Sequence, residues 1–207
     1  AVLAVKSVLV DLNDAAATLP NSYNSVENIT PLETPLSSTI NGAALATPVF
    51  LSLYAENDLR LDKYFAETDE KGFRKNKKAG SNNYLCTFRV GEIYLTAAEA
   101  AARLGELSQA RTRLLELMRK RYAPEAYEAK SVVVNAMDKE ALVQEILDER
   151  ARELAFEGHR WFDLRRSTRP RLEKVLDGTR YVLEENDARY TLAIPKEAIE
   201  ANPGLLN

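Results

Sequence analysis

The sequence predicts a mainly α-helical fold with long loops and a few short strands. Apolar side chains recur at helical spacing over 88–121 and again over 139–156, as they do along one face of a helix. Gly105 and Asp138, residues typical of helix ends, lie where helices are expected to stop and start. The stretches rich in asparagine, serine and proline carry no such period, so they are predicted to be loops.

The amino-terminal part is predicted to hold one helix and a long loop. Apolar residues at helical spacing predict an amphipathic helix over 1–19, which Pro20 would end. Residues 20–48 are polar and irregular, and a stretch of this length is expected to be functional or mobile. We expect 1–55 to form an amino-terminal region of this kind and 56–207 to form one compact unit.

The next predicted element is a helical hairpin. Its two helices, 88–104 and 107–121, are joined at Gly105, and the small residues Ala98 and Ala110 allow them to approach closely. This spacing is that of a tetratricopeptide repeat. Because a single hairpin cannot bury its own apolar face, we expect it to pack against further helices.

The last third of the chain is predicted to begin with a long helix over 139–156, which Gly158 would stop. A second helical stretch over 159–176 contains a proline that interrupts it. A strand is predicted over 190–194, and Pro195 is suited to open a short final helix.

Composition excludes several classes of function. The 207 residues carry 28 basic and 31 acidic side chains, and this balance does not favour nucleic acid or an anionic membrane as a partner. A single cysteine, Cys86, excludes an internal disulfide and a multi-cysteine zinc site, and a single histidine, His159, excludes a histidine-rich metal site. No apolar run reaches the roughly 18 residues of a membrane helix. No cofactor is predicted, and the first residue, Ala1, indicates a processed form or a fragment.

The helix over 139–156 and the residues after it carry the most informative charge pattern. Four glutamates lie four residues apart and would stack on one helix face: Glu145, Glu149, Glu153 and Glu157. Interleaved arginines could neutralise this ladder by bidentate contacts: Arg150, Arg152, Arg160, Arg165 and Arg166. Since apolar residues occur in the same stretch, we expect some of these pairs to be partly buried and to fix the geometry of the helix.

Other interpretations of the charged residues stay open. A di-metal carboxylate site would need Glu-x-x-His motifs on two helices, whereas His159 is better placed for a contact at a helix end. A glycosidase would need two carboxylates in different environments across a cleft. A charged helix can also bind a protein or peptide, and the basic cluster over 71–78 could bind phosphate or form a solvated loop.

Four motifs in chain order carry a family resemblance, over 57–61, 89–100, 149–166 and 190–203. The residues at their patterned positions are Arg89, Glu92, Glu99, Glu149, Arg150, Glu153, Glu157, Gly158, Arg160, Trp161, Asp163 and Arg166. Together these motifs resemble those of the SusD/RagB family of nutrient-binding proteins, with Leu59 where that family usually has proline. The resemblance therefore predicts a SusD-like fold.

The resemblance also implies a function. Members of this family bind glycans or other nutrients without cleaving them and deliver them to a SusC-like TonB-dependent transporter. The implied location is the extracellular face of the outer membrane of Bacteroidetes, with a lipid anchor on the full-length protein. The motif residues are implied to be scaffold and not ligand site. Family members are usually much longer, so we expect this chain to be a fragment or a reduced member.

The resemblance does not locate the ligand. Three tyrosines in polar, turn-rich settings are candidates for stacking on a sugar: Tyr23, Tyr122 and Tyr127. Each could equally be an ordinary half-buried loop tyrosine. Two functions of other classes also stay open, a carbohydrate-active enzyme on a helical scaffold and a tetratricopeptide-like protein-interaction module.

Overall fold

The computed structural model describes residues 2–33, 45–78, 85–176, 178–202 and 204 and confirms a mainly α-helical fold. The chain divides into two compact units, which we call the first unit (Ala1–His159) and the second unit (Arg160–Asn207). The division at residue 55 that the sequence predicts stays a prediction.

Nine α-helices lie within the described residues: α1 (Val2–Val5), α2 (Pro48–Leu51), α3 (Arg60–Tyr64), α4 (Val90–Leu104), α5 (Leu107–Met118), α6 (Pro124–Ala136), α7 (Lys139–Glu153), α8 (Arg160–Arg166) and α9 (Lys196–Ala201). The strands there are β1 (Asn28–Glu33), β2 (Leu45–Ala46), β3 (Phe65–Thr68), β4 (Arg74–Asn76), β5 (Leu85–Arg89), β6 (Leu172–Leu176) and β7 (Thr179–Leu183). All strand pairs are antiparallel: β1 with β5, β4 between β2 and β3, and β6 with β7.

The predicted helical hairpin is confirmed as α4 and α5. Gly105 adopts a left-handed conformation with φ of 86°, and the N–H groups of Gly105 and Glu106 donate to the last carbonyls of α4. Ala98 and Ala110 are both fully buried, so the two helices approach through small side chains. The hairpin packs on α7 through an apolar core of fully buried residues: Leu95, Ala98, Ala102, Ala110, Leu114, Leu117, Leu142 and Ile146.

Helix α7 begins as predicted and ends early. The Asp138 side chain accepts a hydrogen bond of 2.9 Å from the Ala141 N–H and caps the first turn. The helix ends at Glu153, before the predicted end at residue 156, and the chain then makes turns in which Phe156 (φ 61°) and Gly158 (φ 85°) are left-handed. Glu157 therefore lies beyond the helix, which changes the geometry of the predicted glutamate ladder.

Helix α6 is not predicted by the sequence pattern. It begins at Pro124, which suits the first position of a helix, but only Val134 among its thirteen residues is buried. A helix that buries so little has a weak apolar period, so the pattern gave no indication of it.

The predicted helix over 1–19 is wrong beyond residue 5. The side chains of Asp11 and Asp14 accept hydrogen bonds from the Asn13 and Ala16 N–H groups, two residues further on, and such local bonds compete with helix formation. Val10 and Leu12 are nevertheless buried in the core. In the predicted loop over 20–48, strand β1 begins at Asn28, and residues 34–44 lie outside the described residues.

The second unit differs from the sequence prediction in two places. The helical stretch predicted over 159–176 ends at Arg166, and its last five residues, Leu172–Leu176, form strand β6, which pairs with β7. The strand predicted over 190–194 is absent from those described residues, which follow a 3₁₀ turn over Ala188–Tyr190 capped by Asp187. The ring of Tyr190 stacks on that of Trp161, with centroids 5.2 Å apart.

Candidate functional site

A dense cluster of charged side chains is buried inside the first unit. Ten ionisable side chains, each at most 4% exposed, contact one another there: Glu27, Asp58, Arg60, Lys78, Arg89, Arg121, Glu149, Arg152, Glu153 and Glu157. We call this set the charge network. It contains five cations and five anions, so its formal charges balance when all are ionised.

Glu153 lies at the centre of the charge network. Its carboxylate accepts from Arg89 Nη1 at 2.6 Å, Arg121 Nε at 3.0 Å and Arg60 Nη1 at 3.1 Å. Burial alone would raise the pKa of Glu153, but these three guanidinium groups outweigh it and hold the pKa well below its usual range. Glu153 therefore stays ionised in the interior.

Glu149 lies one helical turn before Glu153 on α7. It accepts from Arg60 Nη1 at 2.7 Å, Arg152 Nε at 2.9 Å and the Tyr122 hydroxyl at 3.3 Å. Burial would raise the pKa of Glu149, but Arg60 and Arg152 lower it to about 2. Asp58 binds the same Arg60 from the other side, in a bidentate contact of 2.8 and 2.9 Å.

Glu157 accepts from two cations on different segments. Arg89 reaches it with Nε at 3.0 Å and Nη2 at 2.8 Å, and the Lys78 ammonium donates to it as well. Burial lowers the pKa of Lys78 to about 8, although Glu157 opposes this shift. Lys71 and Lys75 of the predicted basic cluster are exposed, whereas Lys78 is buried, so the solvated-loop interpretation is wrong for that residue.

Glu27 joins the amino-terminal segment to the charge network. Its carboxylate accepts from the Val10 N–H at 2.9 Å, Arg121 Nη2 at 2.5 Å and Arg89 Nη1 at 3.1 Å. Arg121 also donates to the Val10 carbonyl at 2.6 Å. The irregular segment before β1 is therefore fixed by charged contacts in addition to its buried apolar residues.

Gly91 makes room for the charge network in the first turn of α4. A Cβ atom at this position would lie 2.6 Å from Arg89 Nη1 and 3.1 Å from Glu153 Oε1. Tyr64 is also fully buried beside the network, with Lys78 Nζ 4.9 Å from its ring centroid. Its hydroxyl has no hydrogen-bond partner within the described part of the chain.

The predicted glutamate ladder is neutralised, but largely by other arginines than those predicted. Of the arginines near it in sequence, Arg152 contacts Glu145 and Glu149. Arg150 instead donates to Thr96 Oγ1 at 3.2 Å. The main partners of the ladder glutamates are three arginines and a lysine from other parts of the chain: Arg60, Arg89, Arg121 and Lys78. The spacing of residues within the 139–156 stretch gives no indication of these pairs.

The remaining motif residues make local contacts. Glu99 pairs with Arg103 at 2.8 Å and Asp163 with Arg166 at 2.6 Å. Glu92 lies 3.8 Å from His159 Nδ1, which fits the predicted role of this histidine near a helix end. Among the described residues, no group of three or more His, Cys, Asp or Glu side chains could hold a metal ion.

The three candidate tyrosines lie in different settings. Tyr23 is 56% exposed. Tyr127 is half-buried, with the Arg119 guanidinium 5.2 Å from its ring centroid. Tyr122 is only 1% exposed, and the Arg60 guanidinium lies 5.2 Å from its ring centroid. In this conformation Tyr122 belongs to the surroundings of the charge network and presents no face to solvent.

Several surface grooves of the first unit are large enough to hold a small molecule, and two of them exceed 400 Å³. The alanine-lined groove has a volume of about 470 Å³ and runs along α6 beside residues 55–57. The tyrosine-lined groove has a volume of about 430 Å³ and lies between residues 7–9, α5 and the start of α6. Within the described residues, no helix is long and apolar enough to cross a membrane.

Comparison with known proteins places the chain in a family. The sequence matches the model of the SusD family over residues 43–207. Among curated proteins, none matches the sequence. The fold is similar to three solved structures, at sequence identities that carry information about fold alone.

The first is a SusD-like carbohydrate binding protein from Bacteroides vulgatus, with a TM-score of 0.65 and 18% identity over 97% of this chain and 52% of that one. The second is a SusD superfamily protein from Bacteroides fragilis, with a TM-score of 0.65 and 22% sequence identity. The match covers 97% of this chain and 49% of that one. The third is a SusD superfamily protein from Bacteroides thetaiotaomicron, with a TM-score of 0.63 and 19% sequence identity. The match covers 96% of this chain and 51% of that one. This chain thus spans about half the length of the structures it matches. From its matched sequence and its fold, the chain belongs to the SusD family.

Proposed function

We propose that this chain is part of a protein that binds glycans or other nutrients at the cell surface without cleaving them. The observation that carries the proposal is the match to the SusD family over residues 43–207. The similarity to a solved protein described as carbohydrate binding supports it. The partner in this proposal is a TonB-dependent transporter of the outer membrane, and the full-length protein is held there by a lipid anchor.

The state of the buried carboxylates supports binding without catalysis. A glycosidase needs one carboxylic acid that is protonated near neutral pH, which requires a raised pKa. The pKa values of Glu149, Glu153 and Glu157 are all lowered, and each carboxylate is fully engaged with guanidinium or ammonium groups. These glutamates are suited to hold the scaffold together and not to donate a proton to a leaving group.

Calorimetric titration with a panel of oligosaccharides, together with an assay for released reducing sugar, tests the proposal. Binding with no released sugar is the expected result. Released sugar would contradict it and favour a carbohydrate-active enzyme. Failure to bind every glycan, with stoichiometric binding to another protein, would favour a protein-interaction module.

The transporter partner is tested on the full-length protein. Purified in mild detergent from its native outer membrane, the protein is expected to elute together with a TonB-dependent transporter. Elution as a single species, under conditions in which a SusC-like transporter from the same membrane remains intact, would contradict this part of the proposal. The glycan assay would be unaffected by that outcome, so the two parts can fail separately.

A further inference from the structure

The alanine-lined groove lies along a face of α6 that the apolar core leaves largely exposed. Ala126, Ala129 and Val133 line it at spacings of three and four residues, so they form one stripe along the helix. Val133 is 54% exposed, whereas Val134, the next residue, is fully buried. A helix that presents an apolar stripe outside the core is suited to bind a second apolar surface.

The other wall of the groove is formed by residues 55–57 and is fixed to the start of α6. The Asn57 carbonyl accepts a hydrogen bond of 3.1 Å from the Ala123 N–H. Asn57 is left-handed, with φ of 64°, a conformation that asparagine adopts more readily than most residues. The next residue, Asp58, forms a β-bridge with Tyr122. The groove is therefore preformed, and a partner would bind it with little loss of conformational entropy in its walls.

The dimensions of the groove fit a helix. Its volume is about 470 Å³, and the stripe from Ala126 to Val133 extends over about 10 Å, or two helical turns. The small side chains of Ala126 and Ala129 would let a second helix approach closely, as Ala98 and Ala110 do between α4 and α5. An amphipathic helix binds such a groove through apolar residues three, four and seven positions apart.

The rim of the groove is acidic. Glu56 and Glu125 line it, both are exposed, and neither pairs with a cation among the described residues. Lys130 also lines the groove, but its ammonium lies 3.0 Å from Glu145 Oε1, so its charge is compensated. The dipole of α6 compensates only part of the charge of Glu125 in its first turn. The rim therefore favours a partner that carries lysine or arginine beside its apolar residues.

We propose that the alanine-lined groove is a docking surface for a basic amphipathic helix of a partner protein. The apolar face of that helix lies against Ala126, Ala129 and Val133, and its basic side chains lie beside Glu56 and Glu125. This inference goes beyond the proposed function, since a glycan need not contact this face of α6. The two can therefore be tested separately.

Three labelled synthetic peptides of about 18 residues test the surface by fluorescence anisotropy. The first forms a helix with a stripe of alanine and leucine flanked by lysine. The second has glutamate in place of lysine, and the third is a scrambled form of the first without a stripe. The first is expected to bind at least tenfold more tightly than either of the others, because it alone matches both the apolar stripe and the acidic rim. A smaller preference in either comparison, or no binding of the first peptide, overturns the proposal.

Variants of exposed residues locate the binding. Val133→Lys is expected to weaken binding of the first peptide at least tenfold. Val132→Lys is the matched control, since Val132 is 70% exposed but does not line the groove, and it is expected to change nothing. Glu56→Lys combined with Glu125→Lys is expected to reverse the preference, so that the second peptide binds more tightly than the first. Equal losses in Val133→Lys and Val132→Lys overturn docking in this groove. A thermal melt shows whether each variant is folded.

Sedimentation of the unmodified chain distinguishes a partner helix from a second copy of the chain. The chain is expected to be monomeric. A dimer that dissociates in Val133→Lys but persists in Val132→Lys would assign the groove to a second copy and overturn the proposal. The glycan titration is unaffected by each of these outcomes, so the proposed function stands or fails independently.

Discussion

Two ion pairs of the same length lie in opposite environments in this protein. Arg89 Nη1 lies 2.6 Å from Glu153 Oε1, and both side chains are fully buried in the first unit. Arg180 Nη2 lies 2.6 Å from Glu173 Oε2 on the β6–β7 hairpin of the second unit, with 61% and 34% of the side chains exposed. Distance alone does not distinguish them. Water solvates the outer pair, whereas the inner pair depends on its protein partners for solvation.

This difference explains which charged residues the fold requires. A buried charge that loses its partner stays desolvated, so removing one member of a buried pair costs far more than the pair contributes in net stability. An exposed charge that loses its partner returns to water at little cost. The family motif at Glu149, Glu153 and Glu157 therefore coincides with positions where a neutral substitution leaves a guanidinium or ammonium group without its counter-charge. Four predictions test this contrast.

The largest effect is expected for Glu153→Gln. The substitution keeps the shape of the side chain but leaves Arg60, Arg89 and Arg121 facing a neutral amide in the interior. The free energy of unfolding is expected to fall by about 3–5 kcal/mol, measured by urea denaturation. Glu173→Gln is the matched control on the surface. Equal changes in the two variants would contradict the distinction between buried and exposed pairs.

A slightly smaller decrease in the free energy of unfolding is expected when the pH is lowered. The folded pKa of Glu149 is about 2, against an ordinary value of 4.5, so its contribution is fully present above pH 4.5 and is lost as the pH falls towards 2. The loss amounts to about 3 kcal/mol for this group. The free energy of unfolding, measured at a series of pH values, should decrease between pH 4.5 and 2. The slope of this decrease should be smaller in Glu149→Gln. An unchanged slope in that variant would exclude Glu149 as its source.

The third effect concerns the backbone beside the charge network. Gly91→Ala would stabilise an ordinary helix by about 1 kcal/mol. Here the added Cβ would lie 2.6 Å from Arg89 Nη1, so we expect a net destabilisation of about 1–3 kcal/mol instead. Thermal unfolding of the variant distinguishes the two signs. A raised midpoint would show that the Arg89 side chain can move aside without breaking its contacts.

The smallest effect is expected for Arg180→Ala on the β6–β7 hairpin. Both side chains of this pair reach solvent, and the charges that remain are hydrated. We expect the midpoint of thermal unfolding to stay the same. A clear decrease would mean that this pair stabilises the hairpin in a way that its exposure does not explain.

The parts of the fold that sequence predicted well are those whose contacts are local. The hairpin over 90–118 and the start of α7 follow from apolar spacing, from the left-handed Gly105 and from the Asp138 cap. The amino-terminal helix failed because aspartate side chains at Asp11 and Asp14 bind nearby backbone N–H groups, which apolar spacing does not register.

The charge network was predictable in kind but not in its partners. The spacing of Glu149, Glu153 and Glu157 predicted that cations would neutralise their charges, and the structure shows cations paired with all three. Glu27 and Arg121, however, are 94 residues apart, and Lys78 is 79 residues from Glu157. Spacing within one helix gives no indication of such pairs. The candidate tyrosines share polar sequence surroundings, which do not distinguish the buried Tyr122 from the exposed Tyr23.

The charge network also has a consequence for the order in which the chain folds. Its members come from segments far apart in sequence, such as those holding Glu27, Arg60 and Glu153. A segment that docked alone would bury charges before their partners arrived, at a cost of several kcal/mol for each ion. We therefore expect partly docked states to be poorly populated and these segments to dock cooperatively. We expect a chain that lacks one of these segments to leave buried charges without their partners, and therefore to be cleaved more readily by proteases.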